Sequence, residues 1–286
     1  MMDVLLEPFG YGYMVNAMWV SALVGMVCAF LSAYLMLKGW SLIGDALSHA
    51  IVPGVAATYM LGLSLSAGAF LSGMLAAGAM LFLNHRTRLK EDVVIGLVFS
   101  AFFGAGLFMT SLAPTAVDIQ TIILGNILAI TADKTIQLVI IGLVSLIVLL
   151  VKWKDLMVVF FDESHARSIG INPVVHKVLF FSLLSASTVA AMQTVGAFLV
   201  VAMVVTPGAT AYQLTDSFPR LLGISVLIGA LSSFVGVYLS YFLDGATGGV
   251  IVLLQTLCFL AAFFFGPKYG LIATRRRIAE QNRALS

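Results

Sequence analysis

Asp45 and His49 stand four residues apart in the stretch Ser41-Leu42-Ile43-Gly44-Asp45-Ala46-Leu47-Ser48-His49. On a helix that spacing stacks the two side chains one turn apart on one face. A carboxylate offers a hard oxygen donor and an imidazole a borderline nitrogen. The mixture suits Mn(II), Fe(II) or Zn(II) better than Ca(II) or Cu(I). Two donors make a weak site, and weak is what a conduit needs, because a passing ion must leave as readily as it arrives. The spacing also admits a neutral imidazole bonded to the carboxylate as a helix-packing device, Asp45 as a local cap, or a proton relay in a secondary transporter.

The surroundings make the pair unusual. Of 286 residues, 61% are hydrophobic and only 10% charged, where a soluble domain carries roughly 25% charged residues. The bilayer is therefore the expected solvent for most of the chain. An ionisable group at the centre of a membrane helix costs roughly 2.5–3.5 kcal/mol even on lenient scales, so such a group is read as functional. From Lys38 at the membrane edge, a rise of about 1.5 Å per residue sets His49 roughly 16 Å deep. Pro53 follows and is expected to kink this helix, freeing backbone carbonyls beside the pair.

Apolar runs predict nine spans, some short: Tyr13–Leu37, Trp40–Leu61, Leu65–Leu83, Val93–Leu112, Thr135–Val151, Val178–Gln193, Ala197–Leu214, Leu221–Leu243 and Gly248–Phe265. Pro114–Asp133, broken by Asp118, Gly125-Asn126 and Asp133, reads as a re-entrant or interfacial segment. The expected fold class is all-α, a polytopic membrane helical bundle of about 8–9 spans in one domain over 1–286. With a cytoplasmic C-terminus (268–286), only Lys134 of the 15 Lys and Arg residues falls outside, as the positive-inside rule asks. Met1–Glu7 lacks a basic n-region, so the first span is expected to remain in the mature chain. Small residues such as Gly62, Gly68, Gly73 and Gly78 are expected to let helices pack closely.

The net charge of +2 gives no footing for nucleic acid. Cys28 and Cys258 read as small apolar residues without a disulfide. His85 reads as a solvated loop residue, and His165 and His176, flanking the cytoplasmic segment, read as residues without metal chemistry. Gln193, Thr194, Thr206 and Gln255 either face a pathway or bond across helices. There is no glycine-rich phosphate loop, no HExxH pair and no Ser-centred nucleophile elbow, so no catalytic residue and no permanently bound cofactor are expected.

The one sizeable internal polar stretch is 152–177. Asp162 is placed to cap a short amphipathic helix, with Glu163 in its first turn and Gly170 at the C′ position. Asn172-Pro173 then closes the element. It is either an ordinary connection or a docking element for a soluble partner.

Three segments carry a resemblance: Gly39–Val55 around the Asp45–His49 pair, Phe161–Gly170, and Val195–Ala211. With them the chain resembles, from about Tyr13 to Pro267, the permease subunits of metal-specific ABC importers, the ABC-3 family, and most closely its manganese and iron (chelated-iron) members, with zinc permeases related. Gly208 departs from the pattern, where relatives commonly carry alanine. The resemblance implies that Asp45 and His49 lie on the metal's route. Asp162, Glu163, Ala166 and Gly170 would belong to a coupling helix docked on an ATPase subunit. It further implies a second permease, identical or similar, a cytoplasmic ABC ATPase dimer that binds the ATP, and a periplasmic metal-binding protein. The setting is the bacterial inner membrane, the cargo Mn2+, Fe2+ or Zn2+, and the chain itself is no enzyme. Rival readings are a permease for siderophores or vitamins, which would need a wide uncharged path, and an ATP-independent secondary metal transporter.

Overall fold

A computed structural model describes residues 5–40, 42–112, 132–268 and 270–271. The expected re-entrant segment lies outside them but for its last two residues. So do the Arg275-Arg276-Arg277 tail and the side chains of His85, Gln193 and Thr194.

Among the described residues every regular element is helical: a 3₁₀ turn at Glu7–Gly10, then α1 (Gly12–Lys38), α2 (Ile43–Ala50), α3 (Val52–Met60), α4 (Leu65–Arg86), α5 (Glu91–Leu112), α6 (Ala132–Phe161), α7 (Glu163–Ser168), α8 (Pro173–Val195), α9 (Ala197–Leu214), α10 (Phe218–Leu243) and α11 (Thr247–Phe265). Seven of these are long and apolar enough to cross a membrane: α1, α4, α5, α6, α8, α10 and α11. The chain is an all-α polytopic membrane protein.

One expected span takes another form. Trp40–Leu61 is realised as α2 and α3, 8 and 9 residues long with Ile51 between them. Pro53 has no N–H to offer the His49 carbonyl, so that helical bond is missing where the helix is interrupted at Ile51. The α9 helix keeps its expected bounds, Ala197–Leu214, 18 residues interrupted by Pro207. Conversely, α6 runs ten residues past the expected end at Val151. Its polar run does not unwind, because Lys152 pairs with Asp155 at 3.1 Å, three residues on along the helix surface.

The helices fall into two compact units, residues 1–36 with 202–286 and residues 37–201. In the first unit α1 and α10 meet through small residues. A Cβ on Gly229 would reach the Gly25 backbone, and one on Gly25 would strike Ser233. Ser225 donates to the Ala29 carbonyl at 2.7 Å across the same contact. Gly208 has a physical reason: an added Cβ would lie 2.5 Å from the Ser32 hydroxyl and 2.6 Å from its carbonyl. That hydroxyl donates to the Val205 carbonyl at 3.1 Å and accepts from the Gly208 N–H at 3.0 Å, bridging the turn that Pro207 interrupts. Gln255, fully buried, donates to the Ser232 hydroxyl at 3.1 Å, a bond across helices. Thr206 lends its carbonyl to the Thr210 hydroxyl.

In the second unit α3 lies against α4 and α5, and α8 against α4 and α6. Gly54 on α3 and Gly68 on α4 are in backbone contact, since a Cβ on either would overlap the other's carbonyl. Gly106 on α5 brings that helix against Val52 and the Pro53 nitrogen, 2.8 and 3.0 Å from where its Cβ would stand. Without a hydrophobic drive between helices in lipid, such backbone approaches supply the van der Waals contact.

Candidate functional site

The site begins with the break at Ile51. The α2 helix buries Ile43, Gly44, Ala46, Leu47, Ser48 and Ala50, leaving one face for Asp45 and His49. Ser48 folds its hydroxyl back to the Gly44 carbonyl at 2.8 Å, which satisfies it internally. The Ala50 carbonyl, near the break, receives the Ser72 hydroxyl of α4 at 2.6 Å. These contacts fix α2 from behind and leave its charged face open.

On that face His49 Nδ1 lies 3.3 Å from Asp45 Oδ1 and 3.1 Å from the Asp45 carbonyl oxygen. A carboxylate and a carbonyl both accept, so Nδ1 carries the proton and donates. In the neutral imidazole Nε2 then keeps its lone pair, the arrangement in which a histidine ligates a metal while its other nitrogen is held by an acceptor. The side chains of Asp45 and His49 are 47% and 37% exposed, so the pair does not stand in a dry helix–helix contact of this chain. Phe99 and Phe103 of α5 stack nearly parallel, 7° apart. Each meets the His49 ring edge-to-face, with centroids at 5.5 Å. They confine the imidazole to one plane.

Sequence spacing alone missed Phe99 and Phe103, because an apolar span with two phenylalanines reads as lipid-facing or core. Among the described residues no group of three or more His, Cys, Asp or Glu gathers to hold an ion. Asp45 and His49 are thus two donors without a third from the described part of this chain. His165 is exposed. His176 spans two acceptors, the Asn172 carbonyl at 2.9 Å and Asp155 at 3.6 Å, and ties α8 to α6.

The second candidate region is the 152–177 segment. Asp162 caps α7 as expected, accepting from the Ser164 and His165 amides at 2.8 and 3.1 Å. The His165 and then the Ser164 N–H hold its carboxyl below the ordinary carboxylate range, with the positive charge of His165 and Lys38 adding to them. Gly170, at φ 84°, ends the helix in the left-handed region. Its N–H reaches the Arg167 carbonyl at 3.1 Å and that of Ile171 the Ala166 carbonyl at 2.9 Å, a Schellman-type stop. Glu163 pairs with Lys177, which is only 5% exposed, pinning α7 to α8. Ala166 is fully buried, so its methyl sets the seat of the helix, while Ser164, His165, Arg167, Ser168 and Ile169 form its outer surface.

The lowered pKa of Asp162 ties the cap to pH. The cap is complete above the carboxyl's unfolded value near 3.9 and is lost as pH falls through the lower, folded one. Hydrogen exchange at the Ser164 and His165 amides is expected to stay protected from neutral pH down to about 4 and to lose protection only below it. Loss of protection between pH 6 and 7 would contradict this.

The chain matches the ABC 3 transport family over residues 10–266. It is 64% identical over 283 residues to the chelated iron transport system membrane protein YfeC of Yersinia pestis, covering 99% of this chain and 96% of that one. It is 46% identical to the manganese transport system membrane protein MntB of Synechocystis, covering 96% of this chain and 89% of the relative. Among solved structures, PsaBC from Streptococcus pneumoniae in complex with Fab superposes with a TM-score of 0.82 at 33% identity, over 94% of this chain and 98% of that one.

Proposed function

Because this chain belongs to the ABC 3 transport family, we propose that it is the membrane-spanning permease of an ATP-driven importer that carries Mn(II) or Fe(II), with Zn(II) compatible, into the cytoplasm. The observation that carries the cargo class is the half-exposed Asp45–His49 pair beside a broken helix. Residues 1–286 act as one permease domain in a bacterial inner membrane. A second permease, identical or similar, supplies the remaining donors, since one carboxylate and one imidazole fall short of the four to six ligands such ions take.

The chain does no hydrolysis of its own. A cytoplasmic pair of ABC ATPases binds the ATP and docks on α7, where Asp162 and Gly170 shape the helix, Ala166 seats it and Glu163 fastens it. A periplasmic metal-binding protein delivers the ion and exercises most of the selectivity. Names of relatives that transport manganese and chelated iron support the choice of ion.

The test is reconstitution. In liposomes holding the permease, its ATPase and its binding protein, uptake of labelled Mn(II) or Fe(II) is expected to require ATP inside the ATPase-accessible compartment. Full-rate metal movement by this chain alone without ATP would replace the reading with a secondary transporter. Preference for an intact organic chelate over the bare ion would replace it with a chelate permease.

A further inference from the structure

We infer that Trp40 is a positioning residue, which transmits movement of the α6–α7–α8 segment to the helix bearing Asp45 and His49. The inference rests on the reading of α2 as the metal-bearing helix. It adds how that helix is driven.

Trp40 occupies the corner just before α2, after Gly39, whose φ of 73° turns the chain out of α1. It is 4% exposed. Its ring meets Phe160 edge-on at 5.7 Å and stacks on Phe181 at 5.7 Å. Phe160 in turn contacts Phe180 at 4.7 Å. Phe160 is two residues before the Asp162 cap of α7, and Phe180 and Phe181 follow Lys177, which grips Glu163. The two helices flanking α7 therefore close on a single indole.

The indole is also held at its polar edge. Trp40 Nε1 donates to Glu91, whose other oxygen accepts from Asn84 Nδ2 at 3.3 Å. Glu91 stands in the first turn of α5, where the helix dipole favours a carboxylate. The remaining space around Trp40, Ile43, Met80, Asn84 and Phe181 is about 20 Å³, no more than one water. A side chain packed on one side by the frame of α7 and bonded on the other to α5 cannot yield locally. Displacing Phe160 and Phe181 moves the corner, and with it α2, three residues on. Lys38, in the same corner, acts on Asp162 through its charge.

The experiment measures metal moved per ATP hydrolysed by the reconstituted complex, with assembly scored by co-purification of the ATPase. Trp40→Phe keeps a ring and removes the N–H, and Glu91→Leu removes the acceptor. Each is expected to lower the metal-to-ATP ratio by about fivefold or more, in the range of couplings between distant sites, with hydrolysis nearly unchanged. Glu91→Gln, which keeps an acceptor oxygen, is expected to stay near wild type. The double variant Trp40→Phe/Glu91→Leu is expected to be no worse than either single one, because both break one bond. A wild-type ratio in both single variants, or losses that sum in the double, would overturn the inference. Should Trp40→Phe fail to assemble, Asn84→Ala and Glu91→Leu, which leave the indole in place, decide it by the same ratio. Asp45→Asn is run alongside: wild-type uptake there removes the reading of α2 as metal-bearing, whereas a wild-type ratio in the Trp40 and Glu91 variants removes only the relay.

Discussion

Asp45→Ala and His49→Ala are each expected to cut uptake of labelled Mn(II) or Fe(II) by about a hundredfold or more, since even residues that only orient a ligand cost roughly 10–100-fold when lost. Membrane expression and association with the ATPase should persist. The packed side of α2 is made by other residues, chiefly Ile43, Leu47 and the Ser72–Ala50 bond, so removing the exposed pair leaves the fold its contacts. The two substitutions differ in character. Asp45→Ala removes the negative charge and one of the acceptors that set the His49 tautomer, while His49→Ala removes the nitrogen donor outright. Asp45→Asn therefore belongs in the series: it keeps the size, and its amide can still offer an oxygen to Nδ1, but it loses the charge that attracts a cation. Uptake intact in all three would end the assignment of the pair.

The second large effect is expected in the short helix. Gly170 has open space where a Cβ would go, yet its φ of 84° is a conformation that disfavours L side chains. Gly170→Ala thus tests backbone strain alone, about 1–2 kcal/mol, and Gly170→Asn is the rescue, because Asn accepts that region more readily. Ala166→Leu forces a larger group into a fully buried seat, a cost of roughly 1–3 kcal/mol. Beyond these, a helix of six residues is held by the Asp162 cap and the Glu163–Lys177 pair. At tenfold per 1.4 kcal/mol, docking of the ATPase should weaken by about fivefold to a hundredfold for Ala166→Leu and Gly170→Ala. Transport should fall with it, and Gly170→Asn should remain near wild type. Binding affinity of the ATPase for permease variants in detergent checks this, and unchanged affinity in both Ala166→Leu and Gly170→Ala would refute it.

What could be read from the chain and what could not divide along contact range. The i,i+4 pairing of Asp45 with His49, the Asp162 cap, the Gly170 stop and the break enforced by Pro53 are all local. Residue type and spacing state them directly, and each is present. The end of α6 lies beyond the expected Val151 because Lys152-Trp153-Lys154-Asp155 looks like a loop by composition, whereas charged residues outside the hydrocarbon continue a helix readily. Lys177 is buried with its ion pair to Glu163, 14 residues away, a partner that spacing does not announce. The Phe99–Phe103 walls, the Trp40–Glu91 bond and the mutual contact of Gly54 and Gly68 join residues tens of positions apart or on separate helices. A glycine in an apolar run announces close approach but not its counterpart.

The interruption at Ile51 has a mechanical outcome. The half after it is locked to its neighbours, backbone to backbone at Gly54 with Gly68 and through Val52 and the Pro53 nitrogen against Gly106. The half before it is fastened by side chains, which tolerate rotation. On the proposed reading of the pair as metal-bearing, a knuckle of this kind would confine any movement of the carboxylate and imidazole to the first half, while the following segment keeps its contacts.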